Sequence, residues 1–264
     1  MRLLHTLEQE RINGNTEFIW ASNLDEAGAN GSSDAAFPGT VDVASPLSSR
    51  FTDSDLVLIL AGADDTQALL MAGRVASAAQ RAAALVVGML ELEASLPVDQ
   101  QALMARMNYS VDALVILPPA PDGSLMRSLL DAYIHATVSG IAGNFGPVAP
   151  IGADFLDVRE IFAGRTLARI GIGYSDRTDR GHHAVDMAMA NIGVPRIRRA
   201  SGIMILVAGS RLLRLREIVD VADVVHANAP ANVATSLGVH YDNQLGEVLR
   251  VTIIATAPAH CLPT

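Results

Sequence analysis

Unbroken apolar runs alternate with helix-like stretches along the first half of the chain. The runs DLVLIL (Asp55–Leu60), ALVVGML (Ala84–Leu90) and ALVIL (Ala113–Leu117) are continuous, the mark of strands buried on both faces. Between them, the alanine-rich Gln67–Arg81 and the stretch Val98–Met107 carry helical spacing. Upstream, Leu3–Ile12 predicts a short helix, Glu17–Ala21 a strand and Val41–Val43 a short edge strand. Asn23–Pro38 is rich in Gly, Ala, Ser and Asp and reads as loop. Strands alternating with helices predict an α/β domain with a parallel sheet.

A long amphipathic segment follows. Leu125, Leu129, Ala132, Tyr133, Ala136 and Gly140 recur at helical spacing, with Asp122 or Ser124 as the cap. Gly143, Asn144, Gly146, Pro147 and Pro150 end that helix in an irregular loop. Asp154 and Asp157 emerge from the loop and open a second helix. Beyond it come a strand at Leu167–Gly173, a helix at Arg180–Ala190, a strand at Gly202–Ala208 and a helix at Arg214–Ala227. Asn232–Val239 and Glu247–Ala255 read as two adjacent strands joined by the turn-rich Tyr241–Gly246. The expected domains are 1–121, a linking helix and loop at 122–165, a smaller α+β domain with a mixed sheet at 166–258, and a short tail at 259–264.

Composition narrows the partners. The chain has 264 residues, half of them hydrophobic, with mean hydropathy +0.30 and only 4% aromatic, so its cores are aliphatic. A formal net charge of −9 argues against nucleic acid or an anionic membrane surface. One cysteine, Cys261, excludes an intramolecular disulfide and suits a reducing cytoplasm. The apolar run in MRLLHTLEQER is too short for a signal peptide, and no apolar stretch approaches the ~18 residues of a membrane span. A cytoplasmic location is the expectation.

Several residues suggest chemistry, each beside a plainer reading. Asp154 and Asp157 either cap the helix they open or present carboxylates to a ligand. Gly171-x-Gly173 resembles the start of a dinucleotide fingerprint but lacks the third glycine, which favours a structural role. His182 and His183 are consecutive and so point to different helix faces, without a third metal ligand nearby. Arg196, Arg198, Arg199, Arg211, Arg214 and Arg216 form a basic cluster, either a solvated face or a surface for an acidic partner.

The long helix, the acidic loop and the helix after it together resemble the tubulin superfamily, specifically its bacterial division branch, FtsZ. The family's loop reads Asn-x-Asp-x-x-Asp; here Gly152-Ala153-Asp154-Phe155-Leu156-Asp157 keeps the carboxylates and replaces the asparagine by Gly152. LGEVLRVTIIATA (Leu245–Ala257) resembles the family's last strand, and TEFIWASN (Thr16–Asn23) its second. The fold implied is tubulin/FtsZ-like: a parallel Rossmann-like sheet domain joined by a long central helix to a smaller α+β mixed-sheet domain.

The resemblance implies GTP or GDP as ligand, GTPase activity, and head-to-tail assembly with FtsZ or with itself. The residues support this only in part. FtsZ cradles phosphate with Gly-Gly-Gly-Thr-Gly-Thr-Gly, whereas the corresponding loop here contains Gly62, Ala63, Asp64, Asp65 and Thr66. Two aspartates there oppose phosphate by ~1 kcal/mol in water and ~4 at an effective dielectric near 20; they also suit a helix N-terminus as caps. Asp131 falls within about one position of the family's base-reading aspartate. The family's first strand and its glycine loop have no counterpart after Met1. That strand is central in the family, so Glu17–Ala21 is expected to pair directly with Asp55–Leu60. The resemblance assigns Asp154 and Asp157 to catalysis on a neighbouring subunit's nucleotide. Three functions stay open: a division-related FtsZ paralogue acting through protein contacts, with weak or no GTP binding, as a filament cap or regulator; a working GTPase with a mis-called start; and an unrelated small-molecule enzyme using the aspartate pair.

Overall fold

The computed structural model describes residues 16–20, 56–62, 66–91, 110–117, 150–152, 155–164 and 166–258. The segments expected at 3–12, 23–38, 41–43 and 98–107, and the long helix after Ser124, lie outside them. The chain divides into two compact units.

The first unit holds β1 (Thr16–Trp20), β2 (Leu56–Gly62), α1 (Thr66–Arg81), β3 (Leu85–Glu91) and β4 (Ala113–Leu117), and its strands lie side by side in chain order. All three pairings are parallel. β1 pairs directly with β2, Thr16 opposite Leu56 through Trp20 opposite Leu60, as the sequence led us to expect. Leu56, Val57, Leu58 and Ile59 are all buried, so β2 is covered on both faces and its unbroken apolar run is explained. Val57, Ile59 and Ala61 pack under α1, which meets them with Leu69, Ala72, Val75, Ala76 and Ala79. Alanines on that stripe let the helix lie close to the sheet. Asp112 fixes where β4 begins: its carboxylate accepts from the Val86 N–H at 2.8 Å and its own N–H donates to the Val86 carbonyl at 2.9 Å.

The second unit holds α2 (Phe155–Phe162), β5 (Thr166–Ser175) from Ala168 onward, α3 (Arg180–Ile192), the single turn α4 (Val194–Ile197), β6 (Gly202–Gly209), α5 (Leu215–Asn228), β7 (Ala234–Tyr241) and β8 (Leu249–Pro258). Its strand order is β5-β8-β6-β7. β6 runs parallel to β7 and antiparallel to β8. This corrects the expectation that the last two strands are neighbours. β6, GIMILVAG, is buried at every position and takes a partner on each edge, whereas β7 is buried at only some of its positions and suits an edge. The link from β7 to β8 passes the end of β6, where the Asp242 N–H donates to the Gly209 carbonyl at 2.9 Å. The Ser210 hydroxyl donates to the Gly246 carbonyl in the same link.

Gly171 and Gly173 are structural. A Cβ on either would run into the backbone of α3, at Ala188 and Ala184 respectively. Glycines on the strand facing alanines on the helix bring the two backbones close, and the Asn191 side chain donates to the Ile172 carbonyl at 2.7 Å across that contact.

Two substitutions test this packing. Gly173→Ala drives a methyl into the Ala184 carbonyl and is expected to destabilise the fold by about 3 kcal/mol or more, read from the urea midpoint. Ala83, just past α1, sits at φ 65. Ala83→Gly removes that left-handed strain and should raise stability by up to about 1 kcal/mol in the same assay.

Candidate docking face and its support

The first turn of α2 carries Asp157. Val158, Ile161 and Phe162 are buried and leave Leu156 and Asp157 exposed. The C-terminal end of α2 is seated on β6: the Thr256 hydroxyl donates to the Ile161 carbonyl at 3.1 Å, and a Cβ on Gly202 would stand 3.2 Å from the Ile161 Cα. Upstream, Ile151 forms an isolated antiparallel bridge to Val239, whose N–H donates to the Ile151 carbonyl at 2.8 Å. Both ends of the acidic segment are therefore tied to the sheet. Gly152, in the place of the asparagine, is exposed.

Asp154 lies outside the described residues, as do Ala63, Asp64, Asp65 and Asp131. Because α2 starts at Phe155, Asp154 holds the sequence position of a cap and Asp157 that of the third helical residue. That spacing serves both readings, a capping pair and two carboxylates at the helix's positive end. Gly62 is the last residue of β2, opposite Glu91 of β3, and Thr66 is the first, exposed residue of α1. Gly62 therefore belongs to the ladder, and only residues 63–65 connect strand to helix.

His182 and His183 diverge. The His182 Nε2 lies 4.0 Å from Asp220 and the His183 Nε2 lies 3.2 Å from Asp179. Among the described residues no group of three ligating side chains gathers to hold a metal.

One feature escaped the sequence reading. Arg180, the first residue of α3, is buried and donates through Nε to Glu217 at 2.6 Å and through Nη2 to Glu217 at 3.0 Å. Its remaining donors reach the Leu212 carbonyl at 3.1 Å and the Glu247 carbonyl. Glu217 also accepts from the Arg214 N–H at 2.8 Å, closing a capping box at the start of α5. Burial alone would raise the Glu217 carboxyl, but hydrogen bonds from Arg180 and Arg214, with their charges, hold it below the usual carboxylate range. The hydrogen bond to Glu217 holds the Arg180 guanidinium above its ordinary value despite burial. A signal existed in the sequence: a cation at a helix's first position opposes the dipole and needs a carboxylate partner.

The pair sets an acid limit. A folded-state value below the ordinary ~4.3 of glutamate means stability present above that value and lost as pH falls through the lower one. Glu217→Ala should cost about 3 kcal/mol near pH 7, because it strands a buried guanidinium. The difference from wild type should shrink as pH is lowered from about 5 towards 3 in urea titrations at stepped pH.

Residues 166–258 match the family described as FtsZ family, C-terminal domain. A curated relative, "Cell division protein FtsZ 2" from Methanocaldococcus jannaschii, is 25% identical over 227 residues, covering 80% of this chain and 60% of the relative. The chain thus spans less than two thirds of that relative's length. Among solved structures, a point mutant of FtsZ from M. jannaschii aligns with TM-score 0.71 at 26% identity, over 81% of this chain and 69% of that one. An empty FtsZ dimer from M. jannaschii aligns with TM-score 0.70 at 27% identity, over 80% and 66%. CetZ from Methanosaeta thermophila shares the fold, with TM-score 0.59 at 12% identity over 78% and 62%.

Proposed function

We propose, from the premise that this chain is an FtsZ-like protein of the tubulin/FtsZ superfamily, that it is a division-related member working through protein contacts, with weak or no GTP binding. The relative's name supports the division role, and the neighbouring dimer supports self-association. The observation that carries the reading is the connection between β2 and α1. It is three residues long, and two of the three are aspartates. A phosphate cradle needs converging backbone N–H groups, which glycines permit, and a positive potential, which carboxylates cancel.

The mechanism follows from asymmetry. Head-to-tail filaments grow only while each subunit offers two complementary surfaces. This chain keeps the family's acidic pair in its sequence, Asp154 and Asp157, and departs from the family's glycine loop at Gly62–Thr66. It would dock on the nucleotide-bearing end of an FtsZ subunit and give the next subunit nothing to recognise. Its role is then a filament cap. A second reading, a working GTPase within a longer protein, draws on the 60% coverage of the relative.

Two measurements separate them. Labelled GTP, titrated with and without magnesium, should bind no tighter than about millimolar, roughly −4 kcal/mol. Saturation at low micromolar nucleotide would establish the GTPase reading instead. In light scattering of FtsZ with GTP, substoichiometric amounts of the chain should shorten polymers, and Asp154→Ala/Asp157→Ala should not. Unchanged scattering, or equal inhibition by the double variant, defeats capping through this loop.

A further inference from the structure

The six arginines that cluster in the sequence separate in the fold. Arg211 lies over the Tyr241 ring, 5.3 Å from its centroid. Arg214 sits beside Glu217, and Arg216 reaches Asp220 at 4.0 Å. These three are accounted for locally. Arg196, Arg198 and Arg199 stand elsewhere, on and just after α4, and a fourth arginine unnoticed in the sequence joins them.

That residue is Arg169 of β5, half-buried. By strand alternation it shares a face with Gly171 and Gly173, the face on which α3 lies. α3 runs back over β5 and ends at Ile192, whose Cγ1 would stand 2.9 Å from a Cβ on Gly171. Arg196 folds onto that helix end, its Nη1 donating to the Ile192 carbonyl at 3.0 Å. The carbonyl accounts for Arg196, as a cation at a helix C-terminus. It does not account for Arg169, whose guanidinium is pushed down from its ordinary value by burial and then by the charge of Arg196. Arg198 and Arg199 follow as exposed residues. Among the described residues none of the four stands in an ion pair. Arg196 repels the half-buried Arg169, and Arg198 and Arg199 add two exposed cations just past α4 in a chain of net charge −9, a concentration of positive charge that an added anion would offset.

We propose that this corner, where β5 begins and α3 and α4 end, is a docking site for an acidic peptide segment of a partner protein, held by Arg169, Arg196, Arg198 and Arg199. Guanidinium groups favour carboxylates through paired, planar hydrogen bonds. The stretch from Arg196 to Arg199 spans about one helical turn, ~5 Å, a footprint for a few carboxylates on one short segment. An extended polyanion, such as a membrane surface or a nucleic acid, would also meet the acidic remainder of the surface and be repelled.

The test uses the whole chain and a labelled peptide of alternating Glu and Gly, followed by fluorescence anisotropy. Binding is expected, weakening with salt, and reduced about tenfold or more by Arg198→Glu/Arg199→Glu, two exposed positions where folding is not at issue. Arg169→Met is expected to weaken the peptide and to raise the melting temperature without it, a combination that a purely structural arginine would not give. The peptide should raise the melting temperature of wild type only. No binding at low salt, equal binding by the double-Glu variant, or preference for anionic phospholipid vesicles or single-stranded DNA over the peptide would overturn the proposal. The acidic face at Asp157 is untouched by these variants, so filament capping passes or fails separately.

Discussion

One buried guanidinium holds the second unit together. Arg180 joins the start of α3, the start of α5 and the entry to β8, segments far apart in sequence, through Glu217 and two backbone carbonyls. Glu217 in turn fixes the first turn of α5 through the Arg214 N–H. A buried ion pair contributes little net stability over well-packed apolar groups, yet breaking it is costly. Its value here is geometric. It sets where two helices begin against one sheet, and that sheet seats α2 and its acidic turn.

How much was legible in the sequence follows from which forces are local. Ala113–Leu117 was read to the residue, because a short apolar run between polar residues has one reading. The helices at Gln67 and Arg180 were found to within a residue or two, since their apolar stripes repeat at the helical period. Gly62 was assigned to a loop and lies in a strand, because a glycine after an apolar run signals a turn unless a neighbour such as β3 extends the ladder past it. The adjacency of β7 and β8 was misread for a related reason. Short links favour hairpins, and the demand of β6 for two partners is a property of the whole sheet.

The site was legible in outline only. Asp157 was legible as a residue of the opening turn of the helix after the loop, but its exposure was not. Arg180 at a helix start signalled the need for a carboxylate, but not which one, because pairing with the distant Glu217 leaves no periodic trace. Gly171 and Gly173 were rightly read as structural, but the reason lay in the alanines of α3 they face. Arg169 was invisible among strand residues until the end of α3 came down beside it.

The strand order β5-β8-β6-β7 has a consequence for how the chain is made. β8, last of these strands to leave the ribosome, takes an interior position. Until it arrives, β5 and β6 each present an unpaired edge, and Val251, Ile253 and Ile254 are missing from the core. The second unit therefore cannot close in stages from its N-terminal side. It waits with two open edges and completes itself by insertion, which makes its early life the period when a chaperone or a stray strand has most to grip.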